Sequence, residues 1–340
     1  MNVSVAPQLS DMSDTTTNLT VGNETELLNN NGTGFDTGAS KTMRIVYVAI
    51  GAIGTIGNVN VLIVMLSLKY LCSKTTNKFI IHQSFIDLLS SLAIIMTYLI
   101  DIIPVSSNGV VAHFVCVVVQ SHFLVWALVS TSTYNLIAMT LEKYIAVVYP
   151  FKHKRIFTKG KTKVILGLVW LIGPSFFSAL AISTTYRDGE CGVYATFRTR
   201  LLIQNIYSYC NFVIMWYIPL IIMAVCYGRM AWFLHTNTNL NVGAASDLRR
   251  LNLIQARRNT IKTLILVALL NVICTSPKQI FDFLFLSGVP LSLQGDFYNF
   301  AAAAVFSNCA VNPLLYSIQF QDFKKGVVRL ICCKPGMQTA

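Results

Sequence analysis

Charge is scarce in this sequence of 340 residues. Asp, Glu, Lys and Arg together make up 12% of it, whereas soluble domains carry about 25%. Hydrophobic residues account for 54%, and the mean hydropathy is +0.59. This composition excludes an ordinary soluble domain, which needs more charge to cover its surface, and indicates a protein that is built for a lipid bilayer.

Sequence signals of catalysis and of transport are lacking as well. No nucleophile is paired with a base, and no group of residues has metal-ligand spacing, so nothing in the chain favours an enzyme. Internal repeats and paired interrupted helices, which are typical of many transporters, are also missing. No second globular domain is visible beside the apolar segments.

What the sequence does contain is seven long stretches with almost no charge. Each is long enough to cross the hydrocarbon core, which takes about 20 apolar residues. Backbone groups must be paired within lipid, so these stretches must be helices. The sequence therefore predicts an all-α membrane protein, a seven-transmembrane helix bundle. The stretches are 45–68, 79–100 with Asp87 as its only charge, 102–141 with its membrane part from about Ala112, 164–186, 201–228, 263–288 and 297–321.

Basic residues predict the orientation of this bundle. With the N-terminus outside, the cytoplasmic segments hold most of the 26 Lys and Arg residues, but only Glu142, Asp247 and Asp322 among the 14 acids. The net charge of +12 then belongs to a cytoplasmic surface that faces anionic lipid and cytosolic partners. Nucleic acid is not an expected partner, because these charges are dispersed between spans. The expected location is the plasma membrane.

The first 42 residues have a different composition, with much Asn, Thr and Gly and few large apolar side chains, so we expect a disordered extracellular tail. The tail contains four N-glycosylation sequons, at Asn2, Asn18, Asn23 and Asn31. The expected organisation is this tail over 1–42, the bundle over 43–319, a short amphipathic eighth helix over 320–333 and a cytoplasmic tail over 334–340.

Two pairs of cysteines carry separate predictions. Cys116, at the outer start of the third span, and Cys191, in the loop after the fourth, both face an oxidising exterior, which favours a disulfide over two free thiols. Cys332 and Cys333 follow an amphipathic stretch with basic side chains on its other face. This pattern is typical of a helix lying in the inner membrane interface and fixed there by acylation of the cysteine pair.

Polar residues inside the spans form a further group, since ionisable groups in a membrane are costly and usually functional. Asp87 lies near the middle of the second span, with amides and hydroxyls at a similar depth in other spans. Such a group could hold a proton or a small cation such as sodium. The alternative is hydrogen bonding between helices without an ion. The predicted sodium site consists of Asp87, Ser132, Asn308 and Asn312.

Several short motifs follow one another along these spans. They are "GNVNV" with Asn58, Asp87, the cysteines Cys116 and Cys191, "EKY" followed by "VVYP", Trp170, Pro219, Tyr227, "CTSP" and "NPLLYSIQFQDF". Each motif is weak alone, but together and in this order they resemble those of the rhodopsin-like (class A) G-protein-coupled receptors, over about residues 44–333. Within that family the chain most resembles invertebrate and lower-deuterostome orphan receptors of the peptide type.

The resemblance implies a latch at the inner end of the third helix. In the family an acid there holds an arginine at rest, and activation moves the sixth helix outward and turns the base to the G protein. Glu142 and Lys143 occupy these positions, so the alternative of an ordinary surface pair is less favoured. The implied latch residues are Glu142, Lys143, Tyr144, Tyr227 and Tyr316. Heterotrimeric G protein, membrane lipid and arrestin are the implied partners.

Several residues depart from the family pattern. Lysine at position 143 keeps the charge of arginine but loses its planar fork of donors. Thr275 and Asn271 replace the tryptophan and phenylalanine of the sixth-helix switch, and Arg257 replaces an acid that pairs with the latch in many receptors. The spacing from Cys116 to Lys143 is two residues longer than usual. These departures keep open a receptor-like protein with constitutive or absent coupling, and Asp87 keeps open an ion-coupled transporter or channel.

The resemblance also limits the ligand. Val125 stands where amine receptors have an aspartate, and Phe306 stands where opsins have their retinal lysine, so neither ligand is expected. Lys278 either receives an acidic group of the ligand or pairs with Asp282 one turn later. A neuropeptide is the preferred ligand, with a lipid or a small metabolite as the alternatives. The expected pocket consists of Asp101, Gln120, His122, Lys278, Asp282 and Tyr298.

Overall fold

The structure is a computed structural model that describes residues 39–68, 71, 74–100, 109–187, 190–193, 206–207, 209–236, 246–287, 289–292 and 295–332. Within these ranges, seven helical segments are long and apolar enough to cross a membrane, so the predicted seven-helix bundle is confirmed. Numbered first to seventh below, they are Lys41–Ser67, Thr75–Leu99, Gly109–Val148, Lys159–Ala179, Tyr209–Phe233, Ile261–Phe285 and Asp296–Ile318. The four sequons, Asp101 and Cys333 lie outside the described residues.

Some helices extend beyond these spans, and two π-helical turns lie within the third and fifth spans. The α-helices are Lys41–Ser67, Thr75–Ile100, Gly109–Val115, Phe123–Val148, Pro150–Ile156, Lys159–Ser183, Ile218–Thr236, Ser246–Leu286, Asp296–Gln319 and Gln321–Cys332. The π-helical turns are Cys116–Gln120 and Val213–Tyr217. The second turn ends two residues before Pro219, which has no N–H to continue a regular helix.

The third span is irregular near its start. After the π-helical turn Cys116–Gln120, the chain leaves the helix at Ser121 and His122, and His122 has a φ of 58°. A π-helical turn contains one residue more than an α-helical turn, and the break at Ser121 and His122 adds further residues without adding a regular helical turn. The third span thereby accommodates the longer spacing from Cys116 to Lys143, and the two residues still lie at opposite ends of the bundle.

The core of the bundle has three levels. A polar level with Asp87 and Asn58 lies between two clusters of buried apolar side chains. One cluster, which includes Met139 and Tyr316, lies toward the end of the bundle that holds Glu142, called the basic end below. The other, which includes Tyr98 and Phe306, lies toward the opposite end.

The helix Gln321–Cys332 packs along the basic end of the first span. Phe323 is buried in the cluster there, and Gly326 lies so close to Val64 that an added Cβ would come within 2.7 Å of Val64 Cγ1. Lys324 and Arg329, in contrast, are exposed. One side of this helix therefore packs against the bundle, and these two basic side chains lie away from it.

A β-hairpin covers part of the end opposite Glu142, called the hairpin end below. Its strands, Thr184–Arg187 (β1) and Glu190–Val193 (β2), are antiparallel and place Tyr186 opposite Cys191. Cys191 forms a disulfide with Cys116, with the two Cα atoms 5.5 Å apart, as predicted. The hairpin is a small addition to the all-α architecture, and the disulfide attaches it to the third span.

We expect Cys116→Ser and Cys191→Ser each to lower the thermal stability and the surface amount of the protein. Closing a long loop stabilises a folded chain by about 2–4 kcal/mol, and either substitution removes the same bond. The double variant should therefore be little worse than either single variant, as measured by thermal unfolding of purified protein. Additive losses in the double variant would contradict a bond between the two residues.

Candidate functional site

A buried lysine with aromatic neighbours lies in the hairpin end of the bundle. Lys278 is only 8% exposed, and its Nζ lies 5.1 Å from the ring centre of Trp126, 5.3 Å from Tyr298 and 5.9 Å from Phe281. Aromatic faces at these distances attract a cation. The same ammonium forms an ion pair with Asp282, one turn later on the sixth helix. We call these five residues the lysine cage.

The two charged side chains of the lysine cage differ in their exposure to solvent. The Asp282 side chain is 38% exposed, whereas the Lys278 side chain is 11% exposed. A molecule that enters from the hairpin end therefore meets the carboxylate first and the ammonium behind it. Of the two arrangements predicted for Lys278, the structure has the pair with Asp282.

Further aromatic side chains continue the cage toward the second span. The Tyr98 ring centre lies 6.0 Å from that of His122 and 5.9 Å from that of Phe306, and Trp126 lies 6.1 Å from Phe306. The structure thus brings His122, Lys278, Asp282 and Tyr298 to one end of the bundle, where Gln120 is also buried. Asp101 is outside the described residues.

Sequence reasoning missed two members of the cage, Trp126 and Phe281. A signal for each was available. Trp126 directly follows Val125, which stands where amine receptors have an aspartate, and Phe281 lies three residues after Lys278, on the same helix face.

Asp87 lies in the polar level, 1% exposed, and its carboxylate accepts hydrogen bonds from three residues. Ser132 Oγ donates to Oδ1 over 2.8 Å, and Asn312 Nδ2 donates to Oδ2 over 2.8 Å. Gln83 Nε2 lies 3.0 Å from Oδ1 and 3.1 Å from Oδ2. Gln83 was not predicted, although it precedes Asp87 by one helical turn.

The predicted sodium-site residues come together only in part. Ser132 and Asn312 contact Asp87, but Asn308 Nδ2 donates instead to Asn271 Oδ1 over 2.9 Å. Asn308 is therefore corrected to a partner of the sixth span. A sodium ion needs oxygen lone pairs directed at it, whereas the groups around this carboxylate direct N–H and O–H donors at it. The arrangement does not fit a bound cation.

Glu142 is bound from two other elements at the basic end. Its side chain is 2% exposed. His153 Nε2 lies 2.8 Å from Oε1, and Thr76 Oγ1 donates to Oε2 over 3.1 Å. Lys143 Nζ is 3.9 Å from Oε2, so the ion pair with the neighbouring lysine is the longest of the three contacts.

The other residues of the predicted latch contact the fifth and sixth spans. Tyr144 packs against a buried cluster that includes Met230 of the fifth span and Ile261 of the sixth. The Tyr227 hydroxyl is 2.9 Å from Thr140 Oγ1 and also donates to the carbonyl of Leu264 over 3.2 Å. Tyr227 thus joins the third, fifth and sixth spans at the basic end.

Tyr316 and Arg257 are the remaining residues related to the predicted latch. Tyr316 is fully buried, and its hydroxyl has no hydrogen-bond partner among the described residues. The side chain of Arg257 lies outside the described part of the chain.

Polar contacts occupy the level where the family has its aromatic switch. Asn271 accepts the hydrogen bond from Asn308 of the seventh span, and Thr275 Oγ1 donates to the Asn271 carbonyl over 2.8 Å. At this level the sixth and seventh spans are therefore joined through an amide pair.

The comparison with known families decides the identity of this bundle. The family described as "7 transmembrane receptor (rhodopsin family)" matches residues 57–316, from the first span to the seventh. The chain belongs to the rhodopsin family of seven-transmembrane receptors. The receptor therefore carries, in one bundle, the lysine cage at the hairpin end and the Glu142–Lys143 pair at the basic end.

Individual relatives are also similar over most of the receptor. Galanin receptor 2a of Danio rerio is 24% identical over 305 residues, covering 86% of this chain and 79% of that protein. The QRFP-like peptide receptor of Branchiostoma floridae is 27% identical over 310 residues, covering 87% and 79%. The human thyrotropin-releasing hormone receptor is 25% identical over 327 residues, covering 86% and 78%. The resemblance to peptide-type receptors, including an invertebrate one, is confirmed.

Proposed function

We propose that the receptor binds a neuropeptide at the hairpin end and then activates a heterotrimeric G protein at the basic end. The observation that carries the ligand class is the lysine cage, in which a largely buried ammonium is paired with a more exposed carboxylate. A peptide can meet both charges, because it carries charged termini and side chains. The peptide ligands in the relatives' names support the same class.

Lys278 is the group that would hold an acidic part of the peptide. The exposed Asp282 carboxylate can turn toward water, and a ligand carboxylate then takes its place on the ammonium. This exchange keeps the buried cation paired throughout, which avoids the large cost of an uncompensated charge. A lipid with an acidic head group or an acidic metabolite would use the same contact.

At the basic end, Lys143 is the group that would contact the G protein. It is adjacent to a carboxylate that other elements already hold, so its own ion pair is long and easily exchanged. Arrestin would use the same surface. The helix Gln321–Cys332 would lie on anionic lipid, with acyl chains on Cys332 and Cys333.

This function requires an extracellular N-terminus at the plasma membrane. We expect glycosidase treatment of the protein from surface membranes to lower its apparent mass through loss of sugars on some of Asn2, Asn18, Asn23 and Asn31. An antibody should reach an N-terminal tag on intact cells. A tag that is reached only after permeabilisation would contradict the orientation.

A screen of neuropeptide pools in cells, read by several second messengers, tests the function. Cells with Lys143→Ala at equal surface density are the control, since this variant should bind the peptide without signalling. Lys278→Gln should then reduce the potency of the active peptide. Responses to lipid or metabolite collections with none to peptides would contradict the ligand class. Equal responses in the Lys143→Ala cells would contradict the proposed route to the G protein.

A further inference from the structure

A chain of hydrogen bonds crosses the bundle from the fourth span to Asp87. Trp170 Nε1 donates to His82 Nε2, and His82 Nδ1 contacts Asn135 Oδ1, both over 2.8 Å. Asn135 Nδ2 then donates to Gln83 Oε1 over 2.8 Å, and Gln83 Nε2 donates to Asp87. The chain thus passes through the fourth, second and third spans before it ends on the carboxylate.

The direction of every bond in this chain is fixed by its two ends. An indole N–H can only donate, so His82 Nε2 accepts and the ring proton lies on Nδ1. His82 therefore donates to the Asn135 oxygen, which leaves the Asn135 amide nitrogen facing the Gln83 oxygen. An ionised carboxylate can only accept, so the Gln83 nitrogen faces Asp87 from the other end as well. Both ends require the same orientation of the Gln83 amide.

This orientation places hydrogens where a cation would need oxygens. Gln83 Nε2 lies almost equally far from the two carboxylate oxygens, at 3.0 and 3.1 Å, and so straddles the carboxylate as a bound ion would. Ser132 and Asn312 donate to one oxygen each. Buried charge is tolerated where hydrogen bonds of this kind compensate it.

We propose that the Gln83 amide takes the place of a cation beside Asp87, so that the resting bundle of this receptor is held by an internal donor and not by sodium. The second, third and seventh spans meet at this carboxylate, and Gln83 keeps them joined at any sodium concentration. A side chain without donors at position 83 removes the competitor and leaves Asp87 and Ser132 oxygens open to an ion.

Thermal unfolding of the purified full-length receptor tests this inference without a ligand or a G protein, and so independently of the proposed function. The probes are NaCl, KCl and N-methylglucamine chloride at one ionic strength of about 0.15 M, which keeps screening constant. We expect the unfolding temperature of the parent to differ by less than about 1 °C between the three salts. Gln83→Leu should gain about 2–4 °C in NaCl alone, as expected for an ion at about ten times its dissociation constant.

Two matched variants complete the experiment. Gln83→Leu combined with Asp87→Asn should lose the gain in sodium, because the neutral amide cannot hold the ion. Gln83→Ala, which is smaller, tests the same gain if leucine does not fit the site. A sodium-specific stabilisation of the parent that Asp87→Asn removes would overturn the proposal, and this comparison needs no variant at position 83. Absence of a sodium response in every folded Gln83 variant would overturn the role of Gln83.

Discussion

Glu142→Gln should raise basal G-protein activation by about tenfold, since hydrogen bonds to a charged group contribute about 1.5–3 kcal/mol and about 1.4 kcal/mol corresponds to a factor of ten. The carboxylate accepts hydrogen bonds from Thr76 and His153 and lies 3.9 Å from Lys143. Glutamine keeps the shape of this side chain but removes its charge. All three contacts then weaken together, and Lys143 becomes available to a partner. The measurement is nucleotide exchange or second-messenger level at equal surface density, with no ligand present.

Two double variants test whether the raised basal activation depends on Lys143. They combine Glu142→Gln with either Lys143→Ala or Lys163→Ala. Lys163 is an exposed lysine near the start of the fourth span, at the same end of the bundle as Lys143. Lys143→Ala should return basal activation to the level of cells without receptor, whereas Lys163→Ala should leave it high. A basal signal that survives Lys143→Ala would mean that coupling does not pass through this lysine.

The closest partners of Glu142 could not be predicted from its neighbours in the sequence. Glu142 and Lys143 are neighbours in the chain, but successive residues on a helix point in different directions and do not face each other. The buried carboxylate therefore finds its closest partners on other elements, namely His153 of the helix Pro150–Ile156 and Thr76 of the second helix. Their approach depends on how the loop returns to the bundle, which the sequence motif does not specify.

The seven spans could be predicted because lipid excludes charge along the whole length of a helix. Each span is therefore an uncharged stretch that can be recognised in the sequence without knowing which helices are neighbours. The same holds for Cys116 and Cys191, whose compartment follows from the position of the spans. The expectation that Asn308 lies beside Asp87 rested on depth along the chain, which does not decide which side chain lies opposite. Asn308 lies one turn from Asn312, level with Asn271, and the polar replacement in the sixth span captures it.

Gln83 shows a further limit of motif reading. The motif around Asp87 indicates a carboxylate site, but what fills the site is decided by a residue one turn away that belongs to no motif. Its amide is turned toward Asp87 by Asn135, His82 and Trp170 in succession. Only the placement of all four side chains makes the direction of the hydrogen bonds apparent.

Gly173→Ala should be the most destabilising single-methyl change among the glycines of the fourth span. A Cβ on Gly173 would lie 2.2 Å from the Ala127 carbonyl oxygen and 2.4 Å from Thr131 Oγ1 of the third span. Small residues allow membrane helices to approach closely, and here the opposing atom is backbone, which cannot move aside as a side chain can. Overpacking of this kind costs about 1–3 kcal/mol, so we expect the unfolding temperature to fall by about 5–10 °C.

Gly167→Ala is the matched control, since it adds the same methyl group to the same helix at a position where no atom lies within 4 Å. Alanine favours a helix over glycine by about 1 kcal/mol, so this variant should be as stable as the parent or slightly more stable. Thermal unfolding in detergent and the amount of receptor at the cell surface measure both effects. Because Trp170 lies on the fourth span and His82 on the second, displacement of the fourth span at Gly173 should also weaken the hydrogen bond from Trp170 to His82. Equal stability of the two alanine variants would contradict the close packing of these two spans.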